Sequence, residues 1–410
     1  MTRPLSLPFV GVVLSGIIFC SDDAVANFSV TPKFQETLTF SKTLNGHRHY
    51  SFSRSVLSLD SSGLGTHLRD GINLRLETQY QVLVYGGDYL KSSEWTQSVS
   101  ALSRGRGALE LEGSYHRSAK TDFRHRFYRL QAVASRDRWE FSTGRLRNAF
   151  GNTRVFVSPL DYFDDLPLVI SQPKERLGSD TARLRYHWSP IWRLETAYLW
   201  AQRNRDYRAY ILAKGLLSQG LEAGLMAGQL GPRSRGAALS ADYSWLGGIA
   251  GWEASWNKKK EERLVLDLSG GLPVLKIQSE ERSFSRQVVR WNRSYAGDWV
   301  LGLEYLHNGL GEKKPERYDF SRLLAGREIY LARDYLGASL SRTFSALWFG
   351  SAEGIANLKD GTFGWFPEAG YLSAGASLEA KVRWSYFSGP KEGELARLPN
   401  RFQIFGAWYF

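Results

Sequence analysis

Cysteine is almost absent from these 410 residues, and Cys20 is the only one. It lies in MTRPLSLPFVGVVLSGIIFCSDDAVANF, where Arg3 precedes an apolar run from Leu5 to Cys20 and then Ala24-Val25-Ala26. That order is a secretory signal peptide with a small-x-small cleavage site. The run is near the short limit for a membrane span, and Phe19 is not the small residue that lipoprotein processing needs before its cysteine. Cleavage after Ala26 leaves 384 residues beginning at Asn27, with no cysteine. Disulfides, thiol nucleophiles and thiolate metal ligands are then excluded from the mature chain.

Long hydrophobic runs are missing too. Beyond residue 26 nothing approaches the ~18 apolar residues of a membrane helix. Nor is there a compact basic block, although the mature chain holds 52 basic against 39 acidic residues. The basic residues are spread one per strand or loop, and the densest cluster, KKKEER at 258–263, reads as a solvated loop tip. For an exported protein that pattern excludes nucleic acid and leaves lipid headgroups or anionic solutes. Glycine pairs such as those in GRGALELEG are turns, with no phosphate-binding loop opening a helix. His47 and His49 share one strand face but no carboxylate accompanies them, so no metal site is expected, and no cofactor.

Catalytic patterns are equally thin. His307-Asn308 in LHNGLGEKK resembles the His-Asn part of barrel hydrolase sites, with Ser341 or Ser345 imaginable nearby. No serine stands at the spacing such sites use, and Asn308-Gly309 is ordinary strand-end chemistry. An enzyme would need a Ser/His or Asp/His pair within hydrogen-bond reach at one rim. The expectation is therefore no enzyme.

What the chain has is period 2. In GINLRLETQYQVLVYG, Ile72, Leu74, Leu76, Thr78, Tyr80, Val82 and Val84 share one face, while Asn73, Arg75, Glu77, Gln79 and Gln81 share the other. The alternation outlasts a typical globular strand and matches the 9–11 residues of a tilted transmembrane strand, roughly. It returns in ALELEGSY (108–115), TARLRYHW (181–188), WRLETAYLW (192–200), AALSADYSW (237–245) and DWVLGLEYL (298–306). Trp and Tyr bracket the apolar faces, as an interfacial aromatic girdle requires. Arg and Glu stand mid-strand on the opposite faces, which a water-filled lumen tolerates and a dry core does not. The last ten residues, RFQIFGAWYF, put Phe402, Ile404, Trp408 and Phe410 on one parity. This strand is expected to close a barrel, with Phe410 at a membrane interface as an assembly signal.

Short links at 136–137, 189–191, 246–248, 296–298 and 343–344 alternate with longer ones at 148–180, 257–283, 308–327, 352–364 and 388–400. The sequence therefore predicts an all-β, transmembrane antiparallel β-barrel of about 18 strands (16–20), with short periplasmic turns and long extracellular loops. One barrel domain spans 27–410.

The longest informative departure is GRLRNAFGNTRVFVSPLDYFDDLPLVISQPKERLGSD, 144–180. Phe156, Leu160, Tyr162, Phe163, Leu166 and Leu168 make it too apolar to stand in water, so the loop 148–180 is expected to fold inward and narrow the lumen. Its Asp161, Asp164 and Asp165 would then face a basic wall of Arg145, Arg147, Arg183 and Arg185, with Arg154, Arg129 and Arg193 as further pore-lining candidates. Opposed charges across a constriction set up a transverse field that sorts solutes by charge.

GRLRNAFGNTRVFVSPLDYF, LEYLHNGLG (303–311), NLKDGTFGWFP (357–367) and the terminal strand resemble a family of porin-like outer-membrane barrels of Gram-negative bacteria. The resemblance covers most of the mature chain, more closely after Gly144. It implies outer-membrane location, passive passage of small solutes, contact with outer-membrane lipid, and insertion by the barrel-assembly machinery. No catalytic or substrate residue transfers with it. An export conduit or a scaffold barrel is the alternative, and an outer-membrane lipid hydrolase a more distant one. The basic balance suggests a weak anion preference, and the oligomeric state stays open.

Overall fold

A computed structural model describes residues 29–42, 49–68, 71–92, 95, 111–161, 178–201, 206–231, 233–267, 274–320, 323 and 328–410. The proposed signal segment lies outside them. The strands in chain order are β1 (Ser29–Lys42), β2 (His49–Leu68), β3 (Ile72–Gly87), β4 (Glu112–Arg117), β5 (Thr121–Arg136), β6 (Trp139–Leu146) and β7 (Ser179–Ser189). They continue with β8 (Trp192–Leu199), β9 (Arg208–Ser218), β10 (Leu221–Gly231), β11 (Ser234–Trp245), β12 (Gly248–Asp267) and β13 (Val274–Tyr295). Last come β14 (Trp299–Asn308), β15 (Asp334–Thr343), β16 (Trp348–Asn357), β17 (Phe363–Leu372), β18 (Leu378–Ser388) and β19 (Arg401–Tyr409).

Every pairing between these strands is antiparallel, and the ring closes where β19 meets β1, from Lys33 opposite Tyr409 to Ser41 opposite Arg401. Because β3 pairs directly with β5, the six-residue β4 is not a stave of the wall. It lies along the far end of β5, beyond the point where β6 stops pairing. Eighteen strands therefore form the barrel. The alternation at 108–115 looks like a spanning strand in the sequence, yet its part from Glu112 to Tyr115 belongs to this short addition, exposed along most of its length.

Register explains the two faces. Along β14 the exposed residues are Leu303 and Tyr305, while Gly302, Glu304, Leu306 and Asn308 are buried. Large apolar side chains stay exposed on the outer parity all round the ring, and a soluble protein would not leave so continuous a band. Trp139, Trp188, Trp245 and Trp348 mark it near the short turns, and Trp256, Trp365, Trp384 and Phe402 near the other rim. The short turns are tight where the twist demands it. Leu246-Gly247 (φ 50° and 67°) and Gly297-Asp298 (φ 76° and 60°) both carry two positive φ values, as type I′ hairpins do.

Within the region 257–283, read as a long loop, residues 257–267 and 274–283 are instead the continuation of β12 and β13. Their pairing runs from Ile249 opposite Asn292 out to Asp267 opposite Val274. KKKEER is thus part of a strand, and Lys258 there pairs with Glu281 (2.6 Å). Likewise 352–364 is mostly β16 and β17, with 358–362 as its turn.

Candidate functional site: the lined lumen

The first part of the long connection after β6, up to Asp161, runs along the inner wall. Asp161 folds its first stretch into a closed unit by accepting the backbone N–H groups of Phe150 and Gly151 (3.0 Å for the second). Phe150 and Leu160 then pack with Leu199, Tyr210, Leu212 and Met226 on the inner faces of β8 to β10. Asn152 N–H donates to Glu253 Oε1 on β12 (2.7 Å), and its side-chain amide donates to Asp242 Oδ2 on β11 (2.7 Å). One turn later the N–H groups of Arg154, Val155 and Phe156 all donate to the Glu304 carboxylate on β14, the last two at 3.1 and 2.9 Å. Val157 N–H reaches Tyr330 Oη (3.0 Å), and Ser158 returns the chain to Glu253.

Glycines make the approach possible. A Cβ at Gly151 would collide with Ser158, and one at Gly337 on β15 would lie 2.8 Å from Val155 and 2.9 Å from Phe156. Phe156 fills that notch, packed with Val288, Leu306, Tyr335 and Leu331.

These contacts revise the expected electrostatics. Asp161 is 1% exposed and serves its own loop, so it does not line the pore. Asp164 and Asp165 lie outside the described residues. The segment presents backbone donors to Glu253 and Glu304, the reverse of the expected pairing, beside Arg290 on β13, which pairs with Asp242 and lies 3.6 Å from Glu253, while Arg154 is exposed. The segment thereby buries Glu253 and Glu304 and removes them from the open lumen.

The basic side of the wall stands elsewhere. Arg183, Arg185 and Arg193 occupy the inner parity of β7 and β8, opposite Ser142, Glu195 and Lys214 in register. Arg185 is neutralised by Glu195 and by Glu140 (3.0 Å). Arg183 reaches only Ser142 Oγ (3.2 Å), and Arg193 has a shielded Nε without an acceptor. Arg126 on β5, which the sequence reading passed over, donates to Gln81 (2.8 Å) and lies over the Tyr128 ring. Among the described residues Arg126, Arg183 and Arg193 have no carboxylate within ion-pair distance. Arg129 donates to Tyr128 O (2.8 Å) and stacks on the same ring (4.3 Å). Arg145 is held by Asp180 (3.0 Å), and Arg147 is exposed just past the end of β6.

Ring position sets the opposition. β5 is the fourth stave and β14 the thirteenth, so Arg126 and the segment on Glu304 stand on opposite sides of the ring. A second inward segment follows β3. Tyr89, Leu90 and Trp95 pack on Phe52, Val56, Leu83 and Tyr85 of the inner faces of β2 and β3. Its only sequence signal is Tyr89, Leu90 and Trp95 set in the otherwise polar DYLKSSEW.

His307 does meet a carboxylate, on the outer parity where β14 joins β15. Asp334 accepts from His307 Nδ1 (2.7 Å), Tyr305 Oη (2.9 Å) and Lys359 Nζ (2.6 Å). Ser341 lies on the inner parity of β15 and Ser345 in the turn at the opposite rim, so neither completes a triad with it. His47 lies outside the described residues. Among the described residues no three His, Cys, Asp or Glu side chains converge as a metal set. On β19, Phe402, Ile404 and Trp408 are exposed on the outer parity, and Phe410, 77% exposed, donates its N–H to Pro32 O (3.2 Å).

No protein-family model matches the sequence, and no curated protein is significantly similar to it. Solved structures are similar in shape. OccAB1 of Acinetobacter baumannii superposes with a TM-score of 0.60 at 11% identity, over 95% of this chain and 99% of that one. OccK8 (OprE) of Pseudomonas aeruginosa gives 0.56 at 10% identity, over 94% and 98%. The outer membrane protein OprD of Pseudomonas aeruginosa gives 0.52 at 10% identity, over 96% and 97%. At such identities the likeness is one of architecture, and this chain has the fold of the OprD-type outer-membrane barrels.

Proposed function

We propose that the chain is an outer-membrane channel through which small hydrophilic solutes diffuse passively, with a weak preference for anions. The observation that carries this reading is the 150–161 segment, sewn along the inner wall by Glu253 and Glu304. A segment held along the inner wall narrows a water-filled bore, which suits solutes of small cross-section and counts against a polymer conduit. The anion preference rests on charge accounting. The segment covers two acidic side chains, while Arg126, Arg183 and Arg193 keep their charge without a carboxylate partner. The shape shared with OprD-type barrels supports the outer-membrane setting.

Single-channel recording of the refolded mature chain in a planar bilayer, under a salt gradient, tests both parts. Discrete steps that enlarge on deletion of 155–175, with a reversal potential on the anion side, are expected. A correctly folded barrel that conducts nothing would overturn the channel, and a cation-side reversal would overturn the preference alone.

A further inference from the structure

Positive charge also stands on the outside of the barrel, at the rim of short turns. Arg293 on β13 and Arg342 on β15 both have outer parity, opposite Leu301 and Trp299 of the intervening β14. Each guanidinium lies on an aromatic ring at the girdle: Arg293 over Tyr295 (4.7 Å), and Arg342 over Trp299 (4.9 Å) and Phe344 (5.2 Å). Both reach down to the turns. The Arg293 guanidinium comes within 3.4 Å of where a Cβ on Gly247 would sit, and that of Arg342 within 3.9 Å for Gly297.

What these cations lack is an anion. Among the described residues neither has a carboxylate within ion-pair distance, and Asp298 in the turn beside them pairs with neither. The contrast is Arg136 at the same rim on β5, which has Asp137 at 3.8 Å. Arg342 Nε is shielded and has no acceptor, and so is the indole N–H of Trp291, one outward step above Arg293. Interfacial guanidinium groups stacked on rings are stabilised as cations but keep their in-plane N–H donors free. Two strand spacings separate β13 from β15, about 10 Å, within the combined reach of two arginine side chains around one phosphate.

We propose that this outer face of β13–β15 is a docking site for the headgroup of an anionic phospholipid. The phosphodiester sits between Arg293 and Arg342 and accepts from their terminal guanidinium N–H groups. The acyl chains lie along the exposed Val289, Leu303 and Leu340 above. Charge complementarity selects the occupant: unpaired cations beneath an apolar sheet face match an amphiphile with an anionic head. The inference does not depend on the channel reading.

The test is native mass spectrometry of the refolded full barrel in neutral detergent, with dioleoyl phosphatidylglycerol and dioleoyl phosphatidylcholine added at equal concentration. The wild-type barrel should retain the anionic lipid about tenfold more, as expected of charge-assisted bidentate contacts. The ratio should fall towards one in Arg293→Gln/Arg342→Gln, and stay mostly intact in Arg293→Lys/Arg342→Lys. Heat-modifiable gel migration shows which variants are folded, and if the double Gln variant is not, the two single Gln variants read the same ratio. No preference in the wild type, or an unchanged ratio in folded Gln variants, overturns the site. Displacement of the lipid by millimolar inorganic phosphate overturns the choice of occupant, because a lipid held also by its chains should stay.

Discussion

The three backbone N–H groups on one carboxylate make Glu304→Ala the most informative single change. The N–H groups of Arg154, Val155 and Phe156 all lose this acceptor when Glu304 is truncated, and Phe156 is buried. A buried donor left unmade costs about 1–3 kcal/mol, more when the lost acceptor was charged. Lumen water can reach part of the released segment, so the low end applies to each, about 3 kcal/mol in all, or roughly a hundredfold in the detached population. Hydrogen exchange on the refolded barrel reads this directly at the amides of 154–156. Their protection should fall by about that factor, while amides in β13 and β15 hold theirs. Glu304→Gln keeps one carbonyl acceptor and should lose only about tenfold. Channel recordings should show the same order, with Glu304→Ala the noisiest and widest. Unchanged protection at 154–156 in a folded Glu304→Ala barrel would refute the claim that this carboxylate holds the segment.

Three other outcomes are expected. Glu394, in the connection before β19, is buried and accepts from Leu331 N–H (3.0 Å), Ala332 N–H (3.2 Å), Asn357 (3.1 Å) and Tyr335 Oη. Burial pushes its carboxyl from 4.5 up to about 7. A carboxyl raised on folding contributes stability in full below about 4.5 and loses it as the pH rises towards 7, a swing of about 3 kcal/mol. Unfolding of the barrel or local exchange at 331–332, followed from pH 8 to 5, should show that gain on acidification, and Glu394→Gln should flatten it. Replacing Arg126, Arg183 and Arg193 together by Gln should move the reversal potential towards cations, by more at low salt than at high salt because screening shortens the reach of the field. Gly144 and Gly361 both hold positive φ (120° and 72°), but a Cβ at Gly144 would stand 2.1 Å from Leu130 O, while Gly361 has open space. Gly361→Ala should cost about 1 kcal/mol in a denaturant titration and Gly144→Ala clearly more, with poor refolding.

The alternating sequence of GINLRLETQYQVLVYG, or of DWVLGLEYL, carries its own reading. A pleated strand between lipid and water must change side at every residue, so membrane face and lumen face are written locally. The facing of the last strand is local in the same sense, since RFQIFGAWYF already shows which parity meets the membrane, whereas its pairing with β1 joins the two ends of the chain. The same locality misleads at ALELEGSY, whose last four residues, Glu112 to Tyr115, lie in an added strand and not a stave, because pairing partners decide that and not pattern. KKKEER looked like a loop because charge does not distinguish a solvated turn from a hairpin that continues past the membrane.

The lumen was another matter. The apolar side chains of 148–180 point to a loop that buries itself, but not against what. Asn152 and Glu253 are 101 positions apart, and Phe156 and Glu304 are 148. Nothing in a sequence window assigns three backbone donors to one distant carboxylate, or turns Asp161 back onto its own loop. The partners of Arg185 as against Arg183, and the unpaired arginines beneath the outer girdle, follow from register between neighbouring staves. The sequence by itself determined an exported, alternating, aromatic-banded barrel, because those properties are set residue by residue by the two solvents. Which charges stay free inside and outside it was decided only by the tertiary structure, because an ion pair exists where two distant strands bring its halves together.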